Sequence, residues 1–298
     1  MLMEERKEAL ISCCQELIRC QSYSGEEEHA AESLTAALKK LGFTEVITDK
    51  YGNVIGHIKG KRPGKKILFD GHIDTVAVTD ISKWNYDPFA ATVCENRIYG
   101  RGASDMKGAV AAMISAASYF AKDIEGDFAG DIYVAGVVFE ECFEGVASRS
   151  VSSIVNPDYV VIGEASELNL KRGQRGRAEI VVETYGKSAH SANPKEGINA
   201  VYKMTKLIER IKQLQPPGQS ILGEGILELT DIKSFPYPGA SVVPEKCCAT
   251  YDRRLLVGEN KESVLQPLKN IIAEMEEQDP EFKAAVYYAK GEEKCYTG

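Results

Sequence analysis

The sequence is poor in histidine, with four in 298 residues, and it holds a single tryptophan. Its eight cysteines show no C-x-x-C spacing. Cys13-Cys14 and Cys247-Cys248 are adjacent pairs and the rest are scattered, which removes zinc-finger and dithiol redox readings. No apolar run reaches the ~20 residues that span a bilayer, and Met1-Leu-Met-Glu-Glu-Arg-Lys becomes charged at once, so neither a membrane span nor a signal peptide is expected. A cytoplasmic protein with reduced thiols is the expectation. Basic residues are outnumbered 36 to 44, and the formal charge of -8 argues against nucleic acid and membrane surfaces as partners. Repeats and low-complexity tracts are also missing. The length exceeds the usual size of one core, which makes two domains the expectation.

What is present is a set of four short stretches in the N-terminal half, each at the end of an apolar run: Gly71 to Val76 (GHIDTV), Gly100 to Gly108 (GRGASDMKG), Phe139 to Gly145 (FEECFEG) and Val161 to Ser166 (VIGEAS). Strands of an α/β sheet deliver side chains into a crevice at such points. The run Lys66 to Phe69 reads as a buried strand. Residues i and i+2 on an extended chain share a side, so His72 and Asp74 leave it together, with Asp74 placed to take an imidazole N–H. An ordinary surface ion pair is the plainer reading of the same two residues.

Gly100-Arg-Gly102 before a helix from Met106 to Asp123 resembles the start of a phosphate cradle. The position of the third glycine holds Asp105, whose carboxylate repels a pyrophosphate and attracts a cation. Glu140-Glu141 end the run from Asp131 to Phe139, read as a strand covered on both faces. Strand alternation would send them opposite ways, one to a metal and one free as a base, whereas two solvated loop acids are the plainer alternative. Glu164 follows Tyr159 to Ile162, read as another short buried strand.

Two divalent cations bring four positive charges, which Asp105, Glu141, Glu164 and one hydroxide would balance. Without metal these acids would repel one another and take up protons. Imidazole and carboxylate donors suit zinc, with cobalt and manganese as alternatives.

With these motifs the chain resembles the dinuclear zinc amidohydrolases and exopeptidases, the family of succinyl-diaminopimelate desuccinylase, acetylornithine deacetylase, aminoacylase and the glutamate carboxypeptidases. The resemblance runs from Ser22-Tyr-Ser-Gly-Glu-Glu27 to the C-terminus, with the selenium-metabolism hydrolases as the nearest branch. It implies that His72 and Glu164 hold one metal, Glu141 holds the other and Asp105 bridges them before a cis Asp105–Met106 peptide. Asp74 would orient His72, and Glu140 would act as the base toward a water between two metal ions. His190, in Gly186 to Pro194, would stabilise the oxyanion in the partner subunit of a homodimer. Arg254 would hold a substrate carboxylate, with Arg253 as the fallback. The implied reaction is hydrolysis of a peptide or N-acyl amide in a small molecule that also bears a carboxylate.

Organisation follows from periodicity. Leu10, Ile11, Cys14, Leu17 and Ile18 recur at helical spacing, and Ser24-Gly-Glu-Glu27 fits a capping box for a helix ending near Leu41-Gly42. Strand and helix signals alternate to about residue 176, as expected of an α/β catalytic domain, 1–176, with a mostly parallel sheet between helices. Strands near 178–185, 225–233, 247–255 and 284–289, with helices 199–214 and 261–277, predict an inserted α+β sandwich, 177–289, for dimerisation. Residues 290–298 would begin the return to the catalytic domain.

One departure stands out. The family's second metal takes a histidine from that returning segment, and none of His29, His57, His72 and His190 lies beyond residue 190. The sequence therefore reads as C-terminally truncated. A non-catalytic metal-binding protein or inactive fragment, and a nucleotide-dependent enzyme built on Gly100-Arg-Gly102, are the alternatives.

Overall fold

The structure is a computed structural model that describes residues 4–143, 145–171 and 173–289. The chain divides into two compact units, Met1–Leu170 and Lys171–Gly298. The expected returning segment 290–298, with Cys295, lies outside the described residues.

The first unit opens with α1 (Glu4–Arg19), which buries Cys14, Leu17 and Ile18 from its apolar stripe. Helix α2 (Glu28–Leu41) buries Ala30, Leu34 and Leu38 and ends at Gly42, where a left-handed φ of 88° turns the chain. Its start differs from the expected capping box. Glu27 occupies the cap position without a side-chain cap bond, and the Ser24 hydroxyl donates to Asp74 at 2.7 Å. A tertiary carboxylate has outcompeted the local helix end.

Strands β1 (Glu45–Thr48), β2 (Val54–Lys59) and β3 (Arg62–His72) follow, then a hairpin of β4 (Thr92–Cys94) and β5 (Arg97–Tyr99). Next come α3 (Lys107–Asp123), β6 (Ala129–Val137), the single turn α4 (Glu140–Phe143), α5 (Val146–Val155) and β7 (Tyr159–Ile162). The sheet order is β1-β2-β6-β3-β7. Strands β6, β3 and β7 run parallel, while β2 and β1 extend the sheet antiparallel. Leu68, Ile132, Val134, Ile114 and Leu34 anchor the core between sheet and helices.

Strand β7 is not the buried run its composition suggests. It forms the sheet edge, and Tyr159, Val160, Val161 and Ile162 are 60%, 51%, 44% and 60% exposed. Apolar content records what a segment could bury, and among the described residues of this unit nothing covers it. An apolar groove lined by Ile67, Phe69, Met113, Phe120 and Phe128 lies on the same unit. Exposed strand edges of this kind template association. Concentration-dependent self-association of the 298-residue chain, reduced by Val161→Lys, is the expected result in light scattering. A parent chain that stays monodisperse at high concentration would contradict it.

The second unit is an α+β layer. Strands β8 (Gly176–Tyr185), β11 (Ile226–Phe235), β12 (Lys246–Leu255) and β13 (Lys283–Tyr288) form a four-stranded antiparallel sheet ordered β11-β12-β8-β13, with a short pair β9 (Gly218–Gln219) and β10 (Gly223–Glu224) beside it. Strand β12 alternates in burial along its length, and its buried side with Ile180 and Val182 packs with Met204 and Leu207 of α6 (Ala200–Ile211) and Leu268 of α7 (Lys261–Gln278). Asn199 caps α6 and Asn260 caps α7. Among the described residues no helix is long and apolar enough to cross a membrane, and seven cysteines are free thiols.

Candidate metal centre

Parallel pairing sets the site. Asp70 of β3 lies opposite Ile162 of β7, and the Gly163 N–H donates to the Asp70 carbonyl at 2.9 Å, so Glu164 emerges level with His72. On the other side His72 pairs with Val137 of β6, and the Ile73 N–H donates to the Val137 carbonyl at 2.8 Å. The chain leaving β6 therefore runs past Asp74. Gly71 lets two methionines pack close to the strand, since a Cβ would lie 2.8 Å from Met106 Cε and 2.9 Å from Met113 Cε and would displace their flexible ends. Met106 packs over the strand end, which brings the preceding Asp105 to His72.

The result is a cluster at the C-terminal ends of three parallel strands. His72 Nε2 lies 2.9 Å from Asp105 Oδ1 and 3.6 Å from Glu164 Oε1. Ligand atoms of His72, Asp105 and Glu141 lie within 4.8 Å of one another, as do those of His72, Glu140 and Glu164. Glu140 thus sits beside the His72–Glu164 pair, and Glu141 beside the His72–Asp105 pair. His72 is 2% and Asp74 0% exposed, whereas Asp105 and Glu164 are 59% and 45% exposed, so the cluster is walled on one side and open on the other. The Asp105–Met106 peptide is cis, as the family resemblance implied.

Asp74 acts on both neighbouring segments. Its carbonyl oxygen is 2.9 Å and its carboxylate Oδ1 3.5 Å from His72 Nδ1, so the backbone is the nearer partner of the imidazole. Its carboxylate accepts the Glu140 and Glu141 N–H groups, both at 3.1 Å, and the Ser24 hydroxyl. Glu140 and Glu141 lie in the turn α4 rather than on a strand end. Phe139, with a left-handed φ of 60°, stops the extended run. The two carboxylates therefore part by a helical step and not by strand alternation.

Electrostatics fit a cation. Burial disfavours a charged His72, but hydrogen bonding to Asp74, the charges of Asp74 and Glu140, and a hydrogen bond to Asp105 outweigh it and push the imidazole up to about 10. Burial, then repulsion from Asp105, raises Glu141; burial and Asp105 also raise Glu164 against the pull of His72. Burial, aided by Glu164, takes Asp70 up to about 6. Negative charge is crowded enough to hold protons, and a divalent cation would replace them. The donors match those expected of zinc, cobalt or manganese. The phosphate-cradle alternative is disfavoured, since the Asp105 carboxylate at the start of α3 joins His72 and Glu141 in a negatively charged group.

In the second unit His190 is an exposed loop residue whose Nδ1 accepts the Ala192 N–H at 3.1 Å, which leaves Nε2 as the N–H-bearing nitrogen. Asp252 binds two guanidinium groups, Arg177 Nε at 2.6 Å and Arg254 Nε at 2.8 Å. Arg253 is buried against Glu259 and the carbonyls of Ile226 and Arg254, a structural role that leaves Arg254 as the candidate anion binder.

Sequence reasoning missed Lys107, whose buried ammonium donates to the Leu17 and Cys20 carbonyls at 3.0 and 2.6 Å and fastens the end of α1 to the start of α3. Burial lowers it to about 8. Nothing in the spacing of a lysine two residues after an aspartate announces this. Glu27 was also missed as a tertiary partner, although the Ser24-to-Glu27 motif drew attention to its neighbourhood.

Comparison with known proteins identifies the family. Residues 53–196 match Peptidase family M28, and residues 172–280 match the M20-type Peptidase dimerisation domain. Succinyl-diaminopimelate desuccinylase of Dinoroseobacter shibae is 31% identical over 276 residues, covering 87% of this chain and 71% of that protein. The uncharacterized protein YgeY of Escherichia coli K12 is 33% identical over 262 residues, covering 87% of this chain and 64% of YgeY. Human carnosine dipeptidase 1 shares the fold with a TM-score of 0.71 at 19% identity, covering 96% of this chain and 78% of that one. The chain belongs to the M20 peptidase family of metal-dependent peptidases and amidohydrolases. It spans less than two thirds of the length of the first curated relatives, YgeY among them, at 64%. The alternative of an inactive fragment or non-catalytic metal binder draws no support from these comparisons.

Proposed function

We propose that the protein hydrolyses an amide bond, in a dipeptide or an N-acyl amino acid, at a two-metal centre with zinc favoured and cobalt or manganese as alternatives. The observation that carries this reading is the convergence of His72, Asp105, Glu141 and Glu164 at three strand ends with Glu140 beside them. In this reading His72 and Glu164 would hold one ion, Glu141 would hold the other, and Asp105 would contribute to both. The ions would polarise the scissile carbonyl and make a water acidic near neutral pH.

The chain's own groups do the rest. Glu140 takes the proton of the attacking water and returns it to the leaving amine. Asp74 holds His72 by its carbonyl and fixes the Glu140–Glu141 turn by its carboxylate. Residues 1–176 supply this catalytic domain. Residues 177–289 supply dimerisation, and His190 of the partner subunit donates Nε2–H to the oxyanion of the tetrahedral intermediate. Arg254, held by Asp252, pairs with the substrate carboxylate. A cytoplasmic location suits the free thiols. The resemblance to a desuccinylase supports small substrates bearing both an amide and a carboxylate.

The test is a panel of N-acyl amino acids and dipeptides given to the whole protein with zinc, cobalt or manganese. Turnover of at least one class, abolished by chelation, is expected; no turnover with any metal would refute the reading. Mixing Glu140→Gln subunits with His190→Ala subunits should also restore activity, because each hybrid dimer holds one site with both groups. No recovery despite proven subunit exchange would remove His190 from the partner's site.

A further inference from the structure

Three consecutive backbone N–H groups at the start of α4 point at two buried carboxylates. Asp74 receives those of Glu140 and Glu141. The third, from Phe139, donates to Glu27 Oε1 at 3.0 Å, across 112 residues of sequence. Glu27 Oε2 accepts the Gly25 N–H at 2.9 Å, and the whole residue is only 5% exposed.

A buried carboxylate is costly unless its oxygens are engaged, and its usual use at a helix start is to bind that helix's own N–H groups. Glu27 caps nothing in α2, although it stands at the cap position. Its carboxylate is turned to the segment that carries Glu140. The turn that permits this runs through Gly25, whose φ of 97° lies in the left-handed region; the Cβ of any other residue there would also touch the Phe139 ring at 3.7 Å.

Phe139 itself occupies a left-handed conformation, φ 60°, which an aromatic residue keeps only where its surroundings hold it. That conformation ends β6 and turns Glu140 and Glu141 toward His72. Without an acceptor for the Phe139 N–H the turn would keep only the Asp74 bonds to Glu140 and Glu141 and would open more often toward the extended form, carrying the Glu140 carboxylate away from the cluster.

We infer that Glu27 is a positioning residue for the reaction: its carboxylate locks the Phe139 turn and thereby fixes Glu140 in the place from which it takes the water proton. Glu27 touches no reacting atom and acts through Phe139. The inference rests on the proposed role of Glu140, but the backbone part of it does not.

Two measurements on the whole protein separate the two. In hydrogen exchange, Glu27→Ala should speed exchange at residues 139–141 by about tenfold, the effect of losing one buried hydrogen bond, while the core of α3 is unchanged. In kinetics, Glu27→Ala should lower kcat by about tenfold with KM and zinc content near the parent's, and Glu27→Gln, which keeps one acceptor oxygen, should recover part of the loss. In the Glu140→Gln background, removing Glu27 should cost nothing further, since it has lost the group it positions.

Unchanged exchange at 139–141 would overturn the structural half. An undiminished additive loss in the double variant would overturn the catalytic half. A parent protein without amidase activity would refute the proposed function instead, leaving hydrogen exchange to decide the role of Glu27. If the alanine variant fails to fold, the glutamine variant carries both measurements.

Discussion

Glu140→Gln is expected to leave zinc content nearly unchanged and to lower kcat by on the order of a hundredfold or more, the usual scale for removing a general base. The substitution keeps the length and shape of the side chain. It also keeps the backbone N–H that Asp74 receives at 3.1 Å, so the turn should hold. What is lost is the basic oxygen pair. In the proposed assignment His72, Asp105, Glu141 and Glu164 would remain to hold the metal. Elemental analysis beside steady-state kinetics checks both halves: equal kcat would remove Glu140 from the chemistry, and a parallel loss of zinc would make it a ligand.

The second large effect is in metal affinity. Below its raised value of about 10 the metal-free His72 imidazole carries a proton that any ion must displace, and Glu141 and Glu164 are also raised. Protons therefore compete with metal. The sign follows: apparent zinc affinity rises as pH rises, by about tenfold per unit for each proton released. Between pH 6 and 8 at least one proton should leave on binding. Calorimetric titration in buffers of different ionisation enthalpy would count it, and affinity independent of pH would contradict the charged His72. Asp74→Asn should flatten this dependence, because it removes the largest favourable contribution to the imidazolium.

Much of this was readable from residue types. The apolar runs around Leu68 and Val134 are the parallel strands of the first unit, and the alternation in 247–255 appears as β12. Alternation also separated Arg253 from Arg254, one buried and one facing out. The four motifs named the side chains that gather at His72, because a carboxylate after a buried strand has few reasons to be there. The failures share a cause. Strand β7 was read as buried because apolar side chains announce a capacity for contact and not the neighbour that satisfies it. Ser24 and Glu27 were read as a local cap because their true partners, Asp74 and Phe139, are 50 and 112 residues away. Glu140 and Glu141 were put on a strand because a left-handed phenylalanine is invisible in a run of apolar letters.

All the groups gathered at the first unit's strand ends, from Ser24 to Glu164, belong to Met1–Leu170. A ribosome adding roughly 5–20 residues each second would have made all of them several seconds before the last strand of the second unit. The acidic cluster is thus set to meet cellular cations while the rest of the chain is still being synthesised. Metal loading would then belong to biogenesis as much as to catalysis, and a nascent chain starved of metal would fold with Glu141 and Glu164 crowded and holding protons more readily than free carboxylates.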